Sequence, residues 1–304
     1  MADCDLCGCS TSRDVFRKEE WQLVACDECG LVRVDPRPEA QQIAAMYAPT
    51  AGYQLQRLAS SSRYSRWEER RCEVLARITG PARQAPARLL DVGCSTGGYL
   101  ERARAQGWSV QGIELAKHLA VYARTKRGLP VEHGSVDDVL ERFGEQAFDV
   151  ITLWDVIEHL PQPLRAMRDL YRALRPGGKV YLATPNLAGW VPRYHWQVVR
   201  RLWKIWPHPE PPLHLHQFSR DTMARLLSAA RFEDVRFAPD EIPLWYTSGF
   251  RGAPRWTEWL NGEMHAPRAR RLYLMTLPVF LAARLCGGGD SMIVCASKPV
   301  ANRG

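Results

Sequence analysis

Leu90-Asp91-Val92-Gly93-Cys94-Ser95-Thr96-Gly97-Gly98 is the stretch on which the fold turns. An apolar run beginning at Arg88 enters a glycine-rich turn, and a helical pattern over about 97–106 follows it. In a parallel α/β sheet this order places backbone amides and a helix N-terminus at the carboxyl edge, where glycine lets a ligand approach the main chain. The dinucleotide fingerprint needs glycine at position 95, and serine stands there. Asp91 sits directly before the loop. Glu114, in Gly112-Ile113-Glu114, comes 21 residues past Gly93 and can accept both ribose hydroxyls of a nucleoside cofactor.

Outward from this loop, apolar runs of strand length alternate with helical periodicity. The pattern predicts strands at 88–93, 109–115, 131–134, 148–154 and 179–184, with helices at about 97–106, 116–127 and 162–174. Gly177-Gly178 is expected to close the last of these helices. A helix at about 220–230, a strand at 232–238 and a final strand at 291–297 complete the pattern. Such alternation predicts an α/β fold with a parallel, doubly wound sheet.

The N-terminus follows other rules. Cys4-Asp5-Leu6-Cys7-Gly8 and Cys26-Asp27-Glu28-Cys29-Gly30 repeat one pattern across 18 intervening residues. Each turn can aim two thiolates at one point, so Cys4, Cys7, Cys26 and Cys29 are expected to form a closed tetrahedral zinc site. A closed site has no open coordination position, so this zinc is structural. Four unrelated reduced cysteines are the plainer alternative, and Cys9 is a spare thiol.

Composition sets the limits. The chain has 304 residues, 46% hydrophobic and 24% charged, which excludes a disordered protein. Its 41 basic and 33 acidic side chains give +8, which permits nucleic acid or an acidic membrane as partner and requires neither. No uncharged apolar stretch reaches 18 residues; Leu272 to Ala283 is broken by Pro278. Met1-Ala2-Asp3-Cys4-Asp5 lacks signal-peptide character, so a cytoplasmic location with reduced cysteines is expected. The layout follows: zinc ribbon 1–35, helical lead-in 36–85, cofactor-binding core 86–240 with a Trp-rich insert at 186–212, and acceptor-side insert plus final strand 241–304.

The loop, Gly112-Ile113-Glu114, Phe148-Asp149-Val150-Ile151 and Leu174-Arg175-Pro176-Gly177-Gly178 together resemble the class I S-adenosylmethionine-dependent methyltransferases. Asp155-Val156-Ile157-Glu158-His159-Leu160 is similar to the segment after the fourth strand in small-molecule members. The resemblance covers about 86–240 and implies a Rossmann-like, mostly parallel seven-stranded sheet in which the final strand is the antiparallel seventh. The ribbon followed by Asp35-Pro36-Arg37-Pro38 resembles a bacterial subgroup associated with sugar, lipid or secondary-metabolite modification. The resemblance implies S-adenosylmethionine as cofactor, with Asp91, Gly93, Cys94, Ser95 and Gly97 around its methionine end and Glu114 on its ribose. Ser135 and Val136 would flank adenine, and Trp154 and Asp155 would line the methyl-donor side, with core packing the alternative for Val136 and Trp154. Ser95 replaces the family's more common glycine, which implies an altered loop contact.

A sulfonium is already a good leaving group, so such a protein has mainly to align a nucleophile and exclude water. A hydroxyl acceptor also needs a base, for which position offers His159, His214 and His216. If the segment after the fourth strand is helical, Asp155 and His159 share a face and the carboxylate can fix the imidazole tautomer. Ordinary loop histidines are the alternative, and a catalytic metal on Glu158 and the histidines lacks a tight ligand motif.

Gly189 to Trp206 carries Trp190, Trp196, Trp203 and Trp206 with Arg193, Arg200, Arg201 and Lys204, and no acid. It can cover the active site as an acceptor pocket, lie on an anionic membrane, bind single-stranded nucleic acid, or simply pack. The stretch 245–285 is similar in kind. The expected function is methyl transfer to a small molecule, sugar or lipid-linked or a secondary metabolite, on oxygen before carbon. An RNA methyltransferase is the alternative from another class, although Leu153-Trp154-Asp155-Val156 is not the sequence that grips an exocyclic amine. A non-catalytic binding protein is the third reading, opposed by intact Asp91 and Glu114.

Overall fold

The structure is a computed structural model that describes residues 3–18, 20–48, 68–76, 87–203, 211–240, 266–286 and 288–300. The expectations for Trp206, for the Pro-rich run after it and for the Trp-rich stretch 245–259 lie outside these residues. Among the described residues, no helix is long and apolar enough to cross a membrane. The chain divides into two compact units, one of residues 1–36, 183–224 and 237–293, the other of 37–182, 225–236 and 294–304.

In chain order, the elements begin with strands β1 (Ser12–Lys18), β2 (Trp21–Cys26) and β3 (Val32–Val34). Helices α1 (Ala40–Met46) and α2 (68–76) follow. The α/β part comprises β4 (Arg88–Val92), α3 (Gly98–Ala105), β5 (Ser109–Glu114), α4 (Lys117–Arg127) and β6 (Val131–His133). It continues with α5 (Val139–Phe143), β7 (Phe148–Trp154), α6 (Pro163–Ala173) and β8 (Leu174–Pro185). Helix α7 then runs over 190–203, with a π-helical stretch at His195–Val199. Strand β9 (His216–Gln217), α8 (Arg220–Ala229), β10 (Glu233–Asp240), α9 (Ala266–Cys286) and β11 (Ser291–Ser297) end the chain.

The large sheet has the order β10-β11-β8-β7-β4-β5-β6. Strand β4 pairs in parallel with β5 and β7, and β5 with β6. Contacts of β8 with β11 run from Gly178 with Lys298 to Thr184 with Ser291, so the final strand is antiparallel. Leu89, Leu90, Ile151 and Leu153 are fully buried, as expected of central strands covered on both faces. Helix α6 begins with Pro163, whose missing N–H costs nothing there, and buries Ala166, Met167, Leu170 and Ala173 at helical spacing. It ends at Ala173, so Gly177-Gly178 does not close it; both glycines lie inside β8. Gly177 has φ +76°; its amide donates to the Lys298 carbonyl and the Lys298 amide to the Gly178 carbonyl, each at 2.9 Å, so pairing beside β11 explains this pair.

In the first unit, β1, β2, β3 and β9 form a four-stranded sheet in that order. Its core is small: Leu23, Ala25, Val32 and Val34, with Val15, Phe16, Trp21 and Leu187 packed against them. Helix α7 packs on α9. Between these helices the fully buried His195 ring places Nε2 2.8 Å from Thr276 Oγ1. Burial holds His195 down at about 4, so the ring is neutral near pH 7. Pro278 does not interrupt the helix; α9 runs through it.

Candidate functional site

The glycine loop folds back on the end of β5. The Gly93 amide donates to the Ile113 carbonyl at 2.8 Å, and the Gly97 amide to the Cys94 carbonyl at 2.9 Å. Gly93, Ser95 and Gly97 all have left-handed backbone, with φ of +71°, +52° and +80°. Serine is strained in that region, so position 95 keeps the conformation a glycine would adopt freely. A Cβ on Gly93 would stand 2.6 Å from Val156 Cγ2, and one on Gly97 would stand 2.4 Å from Leu129 Cδ1. We expect Gly97→Ala to cost about 2 kcal/mol or more of stability, from overpacking and positive φ together, as a urea melt would measure. A melt equal to wild type would mean that the loop does not need this backbone.

Glu114 is buried and holds the loop in place. Its Oε2 accepts from the Ser95 amide at 2.7 Å, and its Oε1 accepts from the Ala116 amide at 2.8 Å. Both oxygens are hydrogen-bond acceptors, the chemistry that the two hydroxyl donors of a ribose diol require.

On the neighbouring strand β7, Thr152 Oγ1 donates to Asp91 Oδ1 at 2.6 Å. Burial drives the Asp91 carboxyl up to about 7, against the pull of the Thr152 hydroxyl and the Arg71 charge. Trp154 meets the Tyr99 ring edge-on with centroids 5.5 Å apart, and the Arg71 guanidinium lies 5.2 Å from the Trp154 ring centre. Arg71 also pairs with the Asp155 carboxylate. Asp155 has φ +56°, so it lies outside the short turn Ile157–His159. The helix that would place Asp155 and His159 on one face therefore does not form.

Strained non-glycine residues thus stand at the carboxyl ends of both central strands, Ser95 after β4 and Asp155 after β7. Such backbone persists where surrounding contacts impose it, and it gathers at ligand sites. Cys94 turns inward: a Cβ on Gly112 would sit 2.8 Å from its Sγ, and burial holds the thiol protonated. Ser135 caps the turn Val136–Asp138, its hydroxyl accepting from the Asp137 amide at 3.2 Å and its own amide donating to Asp138 Oδ2 at 2.7 Å. Val136 is buried.

His159 is half-buried and belongs to the second unit, while His214 and His216 are buried in the first. His216 Nε2 lies 2.9 Å from Asp5 Oδ2. Sequence reasoning missed Arg71, Thr152 and Asp5. A polar residue in the middle of the apolar strand Phe148–Trp154 was a readable signal for Thr152. Arg71, one of several charges on α2, carried none.

The four cysteines converge. Cys4 and Cys29 sulfurs lie 3.5 Å apart, as do those of Cys7 and Cys26, and all four lie within 4.8 Å of one another. These separations are too long for disulfides and close to the edge of about 3.8 Å for a tetrahedron of Zn–S bonds. The two turns match bond for bond. Gly8 and Gly30 amides donate to Cys4 and Cys26 carbonyls, and Cys4 and Cys26 amides donate to Cys9 and Leu31 carbonyls. Burial pushes the Cys26 thiol up, but the Cys29 and Glu28 amides outweigh it and bring it to about 6; burial raises Cys29. The chemistry and spacing of the set fit zinc.

The strand order, the loop and the placed acid define a Rossmann-like cofactor-binding protein. Residues 63–236 match the sequence model of the methyltransferase-domain family, and the chain belongs to that family, within the class I S-adenosylmethionine-dependent methyltransferases. A ubiquinone biosynthesis O-methyltransferase of Xanthomonas axonopodis pv. citri is 40% identical over 108 residues, 34% of this chain and 44% of that protein. One of Pseudomonas savastanoi pv. phaseolicola is 36% identical over 108 residues, 34% of this chain and 46% of that protein. The chain thus spans less than half the length of these relatives.

Among solved structures, the cyclase SpnF superposes with TM-score 0.54 at 20% identity, over 87% of this chain and 98% of that one. A possible histamine N-methyltransferase of Thermotoga maritima gives 0.50 at 15%, over 81% and 98%. These likenesses show the fold; a neighbour named a cyclase makes clear that the fold alone does not set the reaction.

Proposed function

We propose that the chain transfers a methyl group from S-adenosylmethionine to a hydroxyl oxygen of a small molecule in the cytoplasm, with a carbon acceptor as the second reading. The observation that carries it is Glu114, a buried acid fixed to the glycine loop by two backbone amides at the edge shared by β4 and β5. The bound cofactor would supply an electrophilic methyl on a sulfonium. Glu114 holds the ribose, Asp91 and the backbone of Gly93–Gly97 face the methionine end, and Ser135 and Val136 border the adenine. Trp154, clamped between Tyr99 and Arg71, walls the donor side and excludes water; Arg71 and Asp155 fix its position. The acceptor's proton is assigned to a histidine, His159 or His214. Zinc on Cys4, Cys7, Cys26 and Cys29 is structural.

A labelled methyl group, traced from cofactor into RNA, protein, organic-soluble and aqueous fractions of an extract lacking this protein, tests the reading. Ribonuclease-insensitive label in an organic or small aqueous fraction is expected. Ribonuclease-sensitive label in RNA would sink it. Loss of turnover in His214→Ala or His159→Ala identifies the base.

A lipid-linked acceptor fits the surface of the first unit. Leu274, Pro278, Leu281 and Leu285 are exposed on α9 at steps of four, three and four residues, which is one helix face. Among the described side chains, Arg193 and Arg201 on α7 and Arg284 on α9 are exposed. Apolar and cationic surface together suit an anionic bilayer interface. Co-sedimentation with phosphatidylglycerol vesicles, absent with phosphatidylcholine and reduced by Leu281→Asp with Leu285→Asp, is the expected result. Equal recovery with both lipids, or none with either, would remove the membrane from the reading.

A further inference from the structure

We propose that Asp5 and His216 are positioning residues that couple the four-cysteine site to the segment 214–218, so that metal occupancy sets the placement of His214. The inference rests on the reading of His214 as a base only where it speaks of turnover.

Asp5 stands between two of the cysteines, Cys4 and Cys7. Its place is therefore set by the turn in which the Gly8 amide donates to the Cys4 carbonyl at 2.9 Å. From there its Oδ2 meets His216 Nε2 at 2.9 Å, across 211 residues of sequence, and the His216 side chain is fully buried. The segment is also built into the ribbon's sheet. Val32 pairs with Gln217 and Arg33 with His216, and the Val34 amide donates to the Leu215 carbonyl at 2.9 Å. The Leu187 amide donates to the Phe218 carbonyl at 2.8 Å, and the His216 ring stacks on Phe218 with centroids 6.0 Å apart.

A two-residue strand has no stability of its own; β9 exists because β3 is there to pair with it. The sheet in turn has a small buried cluster, Leu23, Ala25, Val32 and Val34 with Val15, Phe16, Trp21 and Leu187 against it, and a module of this size depends on metal as well as on hydrophobic burial. Metal binding can contribute on the order of 10 kcal/mol to such a module. Losing it should therefore loosen the turn that carries Asp5, the strands β1–β3, and the segment 214–218 with them. The glycine loop, Glu114 and Asp91 belong to the other unit and should keep their cofactor affinity.

The test uses the full chain under reducing conditions, with metal removed by a chelator and restored as zinc or cobalt(II). Metal removal should abolish amide-exchange protection at 32–34 and 215–218 and leave that at 89–92 and 110–114 unchanged. His216→Ala should release metal about 10- to 100-fold faster and shift the cobalt–thiolate absorption, and His216→Gln, whose amide nitrogen falls near the place of Nε2 and can donate to Asp5, should restore part of both. In turnover, His216→Ala should lower kcat with the KM for S-adenosylmethionine unchanged. Protection at 215–218 that survives metal removal, or wild-type metal release from His216→Ala, would overturn the proposal. Exchange and metal release are read without turnover, so wild-type activity in His214→Ala would remove the base and leave the coupling standing on its own result.

Discussion

Glu114→Ala is expected to weaken S-adenosylmethionine binding by at least about 100-fold. The carboxylate holds the Ser95 and Ala116 amides at 2.7 and 2.8 Å, so its loss leaves a half-buried and a buried N–H group without their acceptor. On the proposed reading, the same truncation removes the acceptor for two ribose hydroxyls. Hydrogen bonds to a charged group contribute about 1.5–3 kcal/mol each, so losing two corresponds to roughly 100-fold or more in affinity. Glu114→Gln should be little better. Its amide nitrogen would face one of the two backbone N–H donors, whichever way the group is turned. Calorimetric titration with the cofactor measures both variants, and the ligand-free melting temperature reports the loop separately. Wild-type affinity in Glu114→Ala would take the ribose away from this residue.

The same residue explains what could be read from the sequence. Glu114, the glycine loop and the strand pattern are local signals: a turn needs glycine, a buried strand needs apolar side chains, and the acid follows at a fixed chain distance. Strand β7 and the final strand fall where the apolar runs do, at 148–154 and 291–297. Pairings across the chain leave no such trace. Arg71 meets Asp155 and Trp154 across 84 and 83 positions, and a charged residue on a charged helix looks like any solvated arginine. His216 looked free to do chemistry because the sequence does not show that Asp5 lies against it. Gly177-Gly178 misled in the opposite way: glycine serves helix ends and strand kinks alike, and here the pairing with β11 decided the matter.

Asp91 provides a pH dependence with a definite sign. Burial raises its carboxyl to about 7, whereas the unfolded chain should titrate near the ordinary value of about 3.9. Between those values the folded protein binds more protons than the unfolded one. The stability Asp91 contributes in its protonated form is thus present at low pH and is lost as pH rises from about 4 to about 7. The full difference is on the order of 4 kcal/mol. On the proposed reading, in which Asp91 faces the methionine end, cofactor binding should shift the balance the other way. The methionine end of S-adenosylmethionine carries an ammonium beside the sulfonium, and a cation facing Asp91 favours its charged form. Affinity should therefore rise up to about tenfold per pH unit toward pH 7 and then level off, with up to one proton released per cofactor bound near pH 6. Titration calorimetry at pH 6 in two buffers of different ionisation enthalpy counts that proton. Asp91→Asn should abolish both the release and the slope. Thr152→Val removes the 2.6 Å hydrogen bond that favours the carboxylate, so it should move the midpoint to higher pH. Equal affinity at pH 5.5 and 7.5, with no dependence on buffer, would mean that the carboxyl does not face the cofactor's charge.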